Sequence, residues 1–247
     1  MKFQDKTVFI TGGAKRIGAE IARFFAKEGA KVVITYNSSS LEALALKQEI
    51  GENCHIFKAN LEDTKSTVAT FNEAISKIGK IHILINNASV FQQNSIQNIT
   101  EEEFERDFTI QLKTPLFLIQ AFAKQNFAPE EGLIINMLDK NIIRRNTNFT
   151  SYLLSKKALD ELTRFSAFSL APQIRANSIS PGFILEEENV SSFNPQDLEQ
   201  YMKTKMAKIP LKRKGSPQDI VKAIDFLATN SYINGININV DGGSFLF

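Results

Sequence analysis

The sequence predicts a doubly wound α/β fold, a single parallel sheet of seven strands with helices packed on both faces. Three observations carry this. Short β-branched runs alternate with longer segments of helical period along the whole chain. Runs such as Ile81-His82-Ile83-Leu84-Ile85 are nearly continuous in apolar residues, which requires burial on both faces. A helix between successive strands also implies right-handed crossovers and parallel neighbours.

In chain order, Thr7 to Ile10 is the first strand, and the helix after it has Ile17, Ile21, Phe24 and Phe25 on its apolar face and Gly29 at its close. Val32 to Thr35 leads to a helix from about Leu41 to Ile50, and Cys54 to Phe57 to one from about Thr64 to Ile78. The apolar run Ile81 to Ile85 precedes a helix from about Glu101 to Asn126, and Leu133 to Met137 precedes one from about Thr150 to Leu170. Ala176 to Ile179 is the sixth strand, and a helix from about Pro217 to Ala228 comes before the last strand, Ile236 to Val240. Between them, Pro181 to about Pro195 has no period and contains the acidic run Glu186-Glu187-Glu188. Ligands of such sheets bind beyond the carboxyl ends of the strands, so the region near 182–210 reads as a lid over substrate, with a plain solvated loop as the alternative.

A chain of 247 residues, 43% hydrophobic and 23% charged, suits one domain spanning 1–247. Its cofactor half is expected at about 1–130 and its catalytic and substrate half at about 131–247. With 29 basic and 27 acidic side chains the net charge is only +2, which argues against nucleic acid or anionic membrane as partner. Cys54 is the one cysteine and no disulfide within the chain is available to it; His55 and His82 lack metal-ligand spacing, and no metal is expected. The charged start Met1-Lys2-Phe3-Gln4-Asp5-Lys6 is unlike a signal peptide, and no stretch is long and apolar enough to span a bilayer, so a cytoplasmic protein is expected.

Directly after the first strand stands Thr11-Gly12-Gly13-Ala14-Lys15-Arg16-Ile17-Gly18, running into a helix. Glycines there let the backbone turn tightly and approach a pyrophosphate, and the helix N-terminus favours its charge, as in Rossmann-like folds. A site selecting NAD usually carries an acidic residue about 20 positions further on. Here the second strand ends in Thr35-Tyr36-Asn37-Ser38-Ser39-Ser40 without a carboxylate, and Lys15 or Arg16 offers countercharge, so NADPH is the expected cofactor. In Tyr152-Leu153-Leu154-Ser155-Lys156 a phenol and an ammonium share one helix face, and a lysine cation beside a phenol makes it a stronger acid near neutral pH.

Together with Asn86-Asn87-Ala88, Ser180-Pro181-Gly182 and Asp241-Gly242-Gly243, in this order and spacing, these motifs resemble the short-chain dehydrogenase/reductase family of the classical type over nearly the whole chain. The resemblance implies an oxidoreductase in which Tyr152 donates a proton and Lys156 binds the nicotinamide ribose and tunes the tyrosine. The cofactor-binding set it implies is Gly12, Lys15, Arg16, Ile17, Gly18, Asn37, Ser38, Ser39, Asn60, Leu61, Asn87, Ala88, Ser89, Lys156, Pro181 and Gly182.

Three departures from the family pattern narrow the reading: Arg16 in place of the middle glycine, Asp139 where a serine normally precedes the tyrosine, and the continuation Ser89-Val90-Phe91. These are similar to the pteridine and dihydromonapterin reductases. An ionised aspartate accepts hydrogen bonds and repels a developing oxyanion, which disfavours ordinary ketone reduction. A pterin carbon-nitrogen bond instead needs its nitrogen protonated, which Asp139 and Tyr152 together can do. Phe91 offers a flat face for stacking, and Arg16, Ser89, Phe91, Asp139 and Tyr152 form the expected substrate site.

Gln111 replaces the family's asparagine in the fourth helix, a member of the proton relay, and Asn60 replaces an aspartate near the adenine. The reading is an NADPH-dependent reductase of a pterin or folate. The alternatives are a carbonyl reductase, such as one acting on a 3-oxoacyl thioester, and a non-catalytic dinucleotide-binding regulator. The resemblance further implies a homotetramer, with Phe245-Leu246-Phe247 at a subunit interface. The basic segment Lys203 to Lys214 reads as a solvated face or as an attractor for an acidic folate tail.

Overall fold

Successive side chains of a strand point to opposite faces, and in this chain both faces are apolar. The computed structural model describes residues 1–143, 147–184 and 194–246. Its strands are β1 (Thr7–Ile10), β2 (Lys31–Tyr36), β3 (Cys54–Lys58), β4 (Ile83–Asn86), β5 (Gly132–Met137), β6 (Ile174–Pro181) and β7 (Asn237–Val240). All pair in parallel, in the order β3-β2-β1-β4-β5-β6-β7. Val8, Ile10, Val32, Ile34, Ile83 and Ile85 feed one core, while Phe9, Val33, Leu84 and Ile134 feed the other.

Helices α1 (Arg16–Lys27), α2 (Ser40–Ile50) and α3 (Thr64–Ile78) follow the first three strands. The first core takes Ile21 and Phe25 from α1 and Ala43 from α2; the second takes Phe71 and Ala74 from α3. Asp63 caps α3 by accepting the Ser66 N–H at 2.9 Å. The long helix expected from about Glu101 to Asn126 is instead α4 (Glu101–Phe108), a π-turn over Thr109–Lys113, and α5 (Thr114–Ala123). Pro115 explains the interruption: it has no N–H for the carbonyl four residues back, that of Gln111, and its ring crowds that carbonyl.

Helix α6 (Thr150–Ser169) matches its expected span, and α8 (Pro217–Thr229) begins with a capping box between Ser216 and Asp219. Helix α7 (Pro195–Ala207) lies within the expected lid and was not anticipated as a helix, although Asn194-Pro195 is a start signal; the Asn194 side chain accepts the Asp197 N–H at 2.9 Å. The run Glu186-Glu187-Glu188, like most of the 181–195 stretch, falls outside the described residues, as does Phe247. Cys54 is buried in the first core, which pushes its thiol up to about 11. Among the described residues no helix is long and apolar enough to cross a membrane.

Candidate active site

The strand order reverses between β1 and β4, and the loops leaving their carboxyl ends diverge there. A cleft of about 490 Å³ opens at this point. One wall is the turn after β1. Gly12 has a φ of +63°, and a Cβ on it would lie 2.9 Å from the Ala88 Cα; one on Gly18 would lie 2.4 Å from the Gly12 carbonyl oxygen. The Thr11 hydroxyl accepts the N–H groups of Asn87 and Ala88 at 2.9 and 3.0 Å. In return Asn87 Nδ2 donates to the carbonyls of Thr11 and Gly12 at 3.0 and 3.1 Å. The turn and the loop after β4 are thereby locked together.

Arg16 starts α1 with a φ of +53°, the left-handed region that glycine normally fills. No side chain of a described residue caps α1, whose N-terminus borders the cleft through Lys15, Arg16, Ile17 and Gly18. A turn with no room for a Cβ at Gly12 or Gly18, leading into a helix N-terminus, fits a pyrophosphate.

Asn37, Asn60 and Leu61 line a second cavity of about 150 Å³, which shares Gly12, Ala88 and Ser89 with the cleft. Ser38 is exposed and Ser39 precedes α2, and neither lines these spaces. Lys15 lines the cleft but pairs with Glu42 at 2.6 Å. This carboxylate, in the first turn of α2, had no place in the reading of the second strand's end.

At the other end Tyr152, in the first turn of α6, donates its phenol proton to Asp139 Oδ2 at 3.1 Å. Asp139 Oδ1 accepts the Asn141 N–H at 2.7 Å, so the carboxylate both caps its own loop and faces the phenol. Lys156 is 2% exposed and donates from Nζ to the Met137 carbonyl at 2.6 Å. Burial brings its ammonium down to about 8, with Asp139 opposing the fall.

The expectation that Lys156 draws the phenol toward neutral pH is not met. Burial foremost, and then the Asp139 charge and hydrogen bond, push Tyr152 well above the ordinary tyrosine value; the Ser89 hydroxyl pulls the other way. Buried Asp107 adds to the upward push; its carboxylate takes the Ser151 hydroxyl's hydrogen bond, next to the tyrosine in sequence.

Phe91 is 59% exposed on the cleft wall, its ring edge-on to Tyr152 at 4.9 Å. Its other neighbour is Phe149, stacked at 4.1 Å, so one of the faces expected to be open is covered by protein. Gln111 does not line the cleft: it is buried one layer behind and hydrogen-bonds Ser89 and Val90. Pro181 and Gly182 close the cleft from β6, and a Cβ on Gly182 would lie 2.5 Å from the Asp241 Cα. The Asp241 carboxylate in turn accepts the N–H groups of Gly243 and Phe245, which makes Asp241-Gly242-Gly243 a buttress.

A family model described as enoyl-(acyl carrier protein) reductase matches residues 12–244. The chain belongs to the short-chain dehydrogenase/reductase family. As a member of that family it is an oxidoreductase. Among relatives of this short-chain dehydrogenase/reductase, the 3-oxoacyl-(acyl-carrier-protein) reductase FabG of Staphylococcus aureus is 30% identical, over 98% of each chain. The structure of FolM alternative dihydrofolate reductase 1 from Brucella canis, complexed with NADP, is 34% identical, covers 100% of this chain and 97% of that one, and has a TM-score of 0.88. A blue fluorescent protein from a metagenomic library, in complex with NADPH, is 30% identical over 99% of each chain, also with a TM-score of 0.88.

Sequence reasoning missed Ile184, which lines the cleft, and Phe149, whose contact with Phe91 has no local signal. It also missed Asp107, hidden at the end of an acidic run that reads as solvated, Glu101-Glu102-Glu103-Phe104-Glu105-Arg106-Asp107.

Proposed function

We propose that this short-chain dehydrogenase/reductase is an NADPH-dependent reductase of pterins, taking a dihydropterin or dihydrofolate to its tetrahydro form. The observation that carries the reading is the hydrogen bond from Tyr152 Oη to Asp139 Oδ2. A carboxylate in this place repels the oxyanion of a reduced ketone, whereas protonation of a ring nitrogen develops no such charge beside it. The dinucleotide, when bound, supplies a hydride to a ring carbon. Gly12, Ile17, Gly18, Asn87, Ala88, Pro181 and Gly182 would hold it, with Asn37, Asn60 and Leu61 at the far end and Lys156 at the ribose.

Tyr152 stays protonated at every physiological pH, and its Oη proton is the one given to the ring nitrogen. Asp139 faces the Oη and passes in the replacement proton from solvent. Phe91 presents a half-exposed ring to a planar heterocycle, and Arg16, at the mouth of the turn, touches the cofactor phosphate or the substrate. NADP in the Brucella canis relative, and its description as an alternative dihydrofolate reductase, support both cofactor and substrate class. A cytoplasmic homotetramer completes the proposal.

The second reading is a 3-oxoacyl-thioester reductase, favoured by the FabG relative and the description of the family model. NADPH oxidation measured in parallel with a dihydropterin, dihydrofolate and an acetoacetyl thioester tests both. Turnover of the thioester alone overturns the pterin reading, and turnover of none of the three points to a dinucleotide-binding regulator.

A further inference from the structure

Gln111 is buried in the π-turn between α4 and α5, and its side-chain nitrogen donates twice to one short segment. Nε2 reaches the Ser89 hydroxyl oxygen and the Val90 carbonyl oxygen, each at 2.9 Å. Its Oε1 is buried with no hydrogen-bond partner among the described residues. The sense of the amide is therefore fixed: turned over, it would set Oε1 against the Val90 carbonyl, two acceptors face to face. π-turns within helices recur at functional sites, and here one delivers an amide to the back of a cleft wall.

The consequences fall on both residues that the segment presents to the cleft. With the Gln111 N–H on its oxygen, the Ser89 hydroxyl is left as a donor, which the Val90 carbonyl oxygen accepts at 3.4 Å and which also acts on the Tyr152 phenol, so its orientation on the cleft wall is set from behind. The pinned Val90 carbonyl belongs to the peptide bond that leads directly into Phe91, and so restrains where that ring stands. We infer that Gln111 is a positioning residue that sets substrate preference, by holding the Ser89 hydroxyl and the Phe91 ring as a preformed wall for a flat, hydrogen-bonding heterocycle. The heterocycle rests on the proposed function; the clamp does not. Sites that orient a hydroxyl for a substrate group discriminate strongly against molecules lacking that group.

The test is steady-state kinetics on whichever substrate the parent reduces, with NADPH affinity and thermal midpoint measured alongside. Gln111→Asn, a methylene too short to reach both acceptors, should raise the substrate KM about tenfold, the worth of one hydrogen bond. Its NADPH affinity should stay within about twofold of the parent's under the same standard. Gln111→Glu, equal in length but without donors, should do at least as much harm. Ser89→Ala leaves the helix untouched and should raise KM on its own, and adding Gln111→Asn to it should cost little more, because the two act through one contact. Additive effects, an unchanged KM in Gln111→Asn, or NADPH affinity falling in step with KM overturns the inference. If Gln111→Asn does not fold, an unchanged KM in Ser89→Ala overturns it by itself. Should the parent prefer the thioester, the pterin reading fails while the coupling between Gln111 and Ser89 is still measured.

Discussion

Asp139 is bound from both sides, by a backbone N–H that it caps and by a phenol that it faces, so its substitutions separate structure from chemistry. Asp139→Asn keeps an acceptor for the Asn141 N–H but carries no transferable proton, and should lower kcat on a dihydropterin by about 10² to 10⁴, the loss typical of a general acid. Asp139→Ser should lose the same activity and gain weak reduction of a simple ketone; parent-like pterin turnover in both variants would reduce Asp139 to a loop residue. Lys156 poses the opposite problem, since a buried ammonium destabilises the fold it serves. Its folded value near 8 lies below the ordinary 10.5, so between these the unfolded chain holds a proton that the folded protein has released, and the lysine's contribution to stability grows as pH rises through that window. The charge itself is lost over the same range, so kcat/KM for NADPH should fall as pH passes about 8. Lys156→Met should abolish turnover yet raise stability near pH 7, because it removes an ammonium that burial disfavours in the folded state, less the loss of the donor to the Met137 carbonyl. A destabilised, active Lys156→Met protein in a melting and turnover comparison would contradict both halves.

Among the elements, the cofactor turn depends on a hydroxyl as much as on its glycines. Thr11→Val keeps the shape but removes the acceptor of two N–H groups from the loop after β4, which should cost about 1 to 3 kcal/mol and weaken NADPH binding together with it. Titration and chemical denaturation read the two losses, and unchanged NADPH affinity would show that the tie is ornamental. Much at this scale was legible beforehand: the alternation of apolar strands and helical periods located all seven strands and most helices to within a few residues, because burial on a regular element leaves a regular trace. The π-turn was not legible, because the apolar residues on either side, Ile110 and Leu118 among them, continue without an obvious break and only Pro115 marks the change. The hydrogen bonds of Gln111 to Ser89 and Val90 were not legible for the same reason: the direction of its side chain depends on that turn. The pairing of Phe91 with Phe149 joins residues far apart in sequence, and Glu42 meets Lys15 only once α1 and α2 are packed side by side.

For the whole molecule, a ligand that binds only the folded state stabilises it by RT ln(1 + [L]/Kd), about 2.7 kcal/mol at a hundredfold excess over Kd, or a rise in melting temperature of roughly 5 to 11 °C for a chain of this size. NADPH should give such a shift and NADH, at equal concentration, a smaller one; the reverse order would overturn the cofactor preference. Phe165 and Phe168 stand 64% and 88% exposed on α6, and Leu246 67% exposed, apolar surface that the proposed tetramer would cover. Light scattering should give four times the chain mass, and Phe168→Asp should lower it; a monomeric parent rejects the assembly. The strand order has a further consequence, for how the molecule is made. The earliest strand is an interior one, and Asn87 must find Thr11 across 76 residues before the cleft has a floor. Contacts of that separation raise contact order and slow folding. A chain that has paired only β1, β2 and β3 leaves one side of β1 as an open edge of unpaired N–H and C=O groups, the kind of surface on which chains aggregate. Competence to bind the dinucleotide should therefore appear late in refolding, after most helix has formed, and slow closure of β4 onto β1 is the step at which this protein is most exposed to loss.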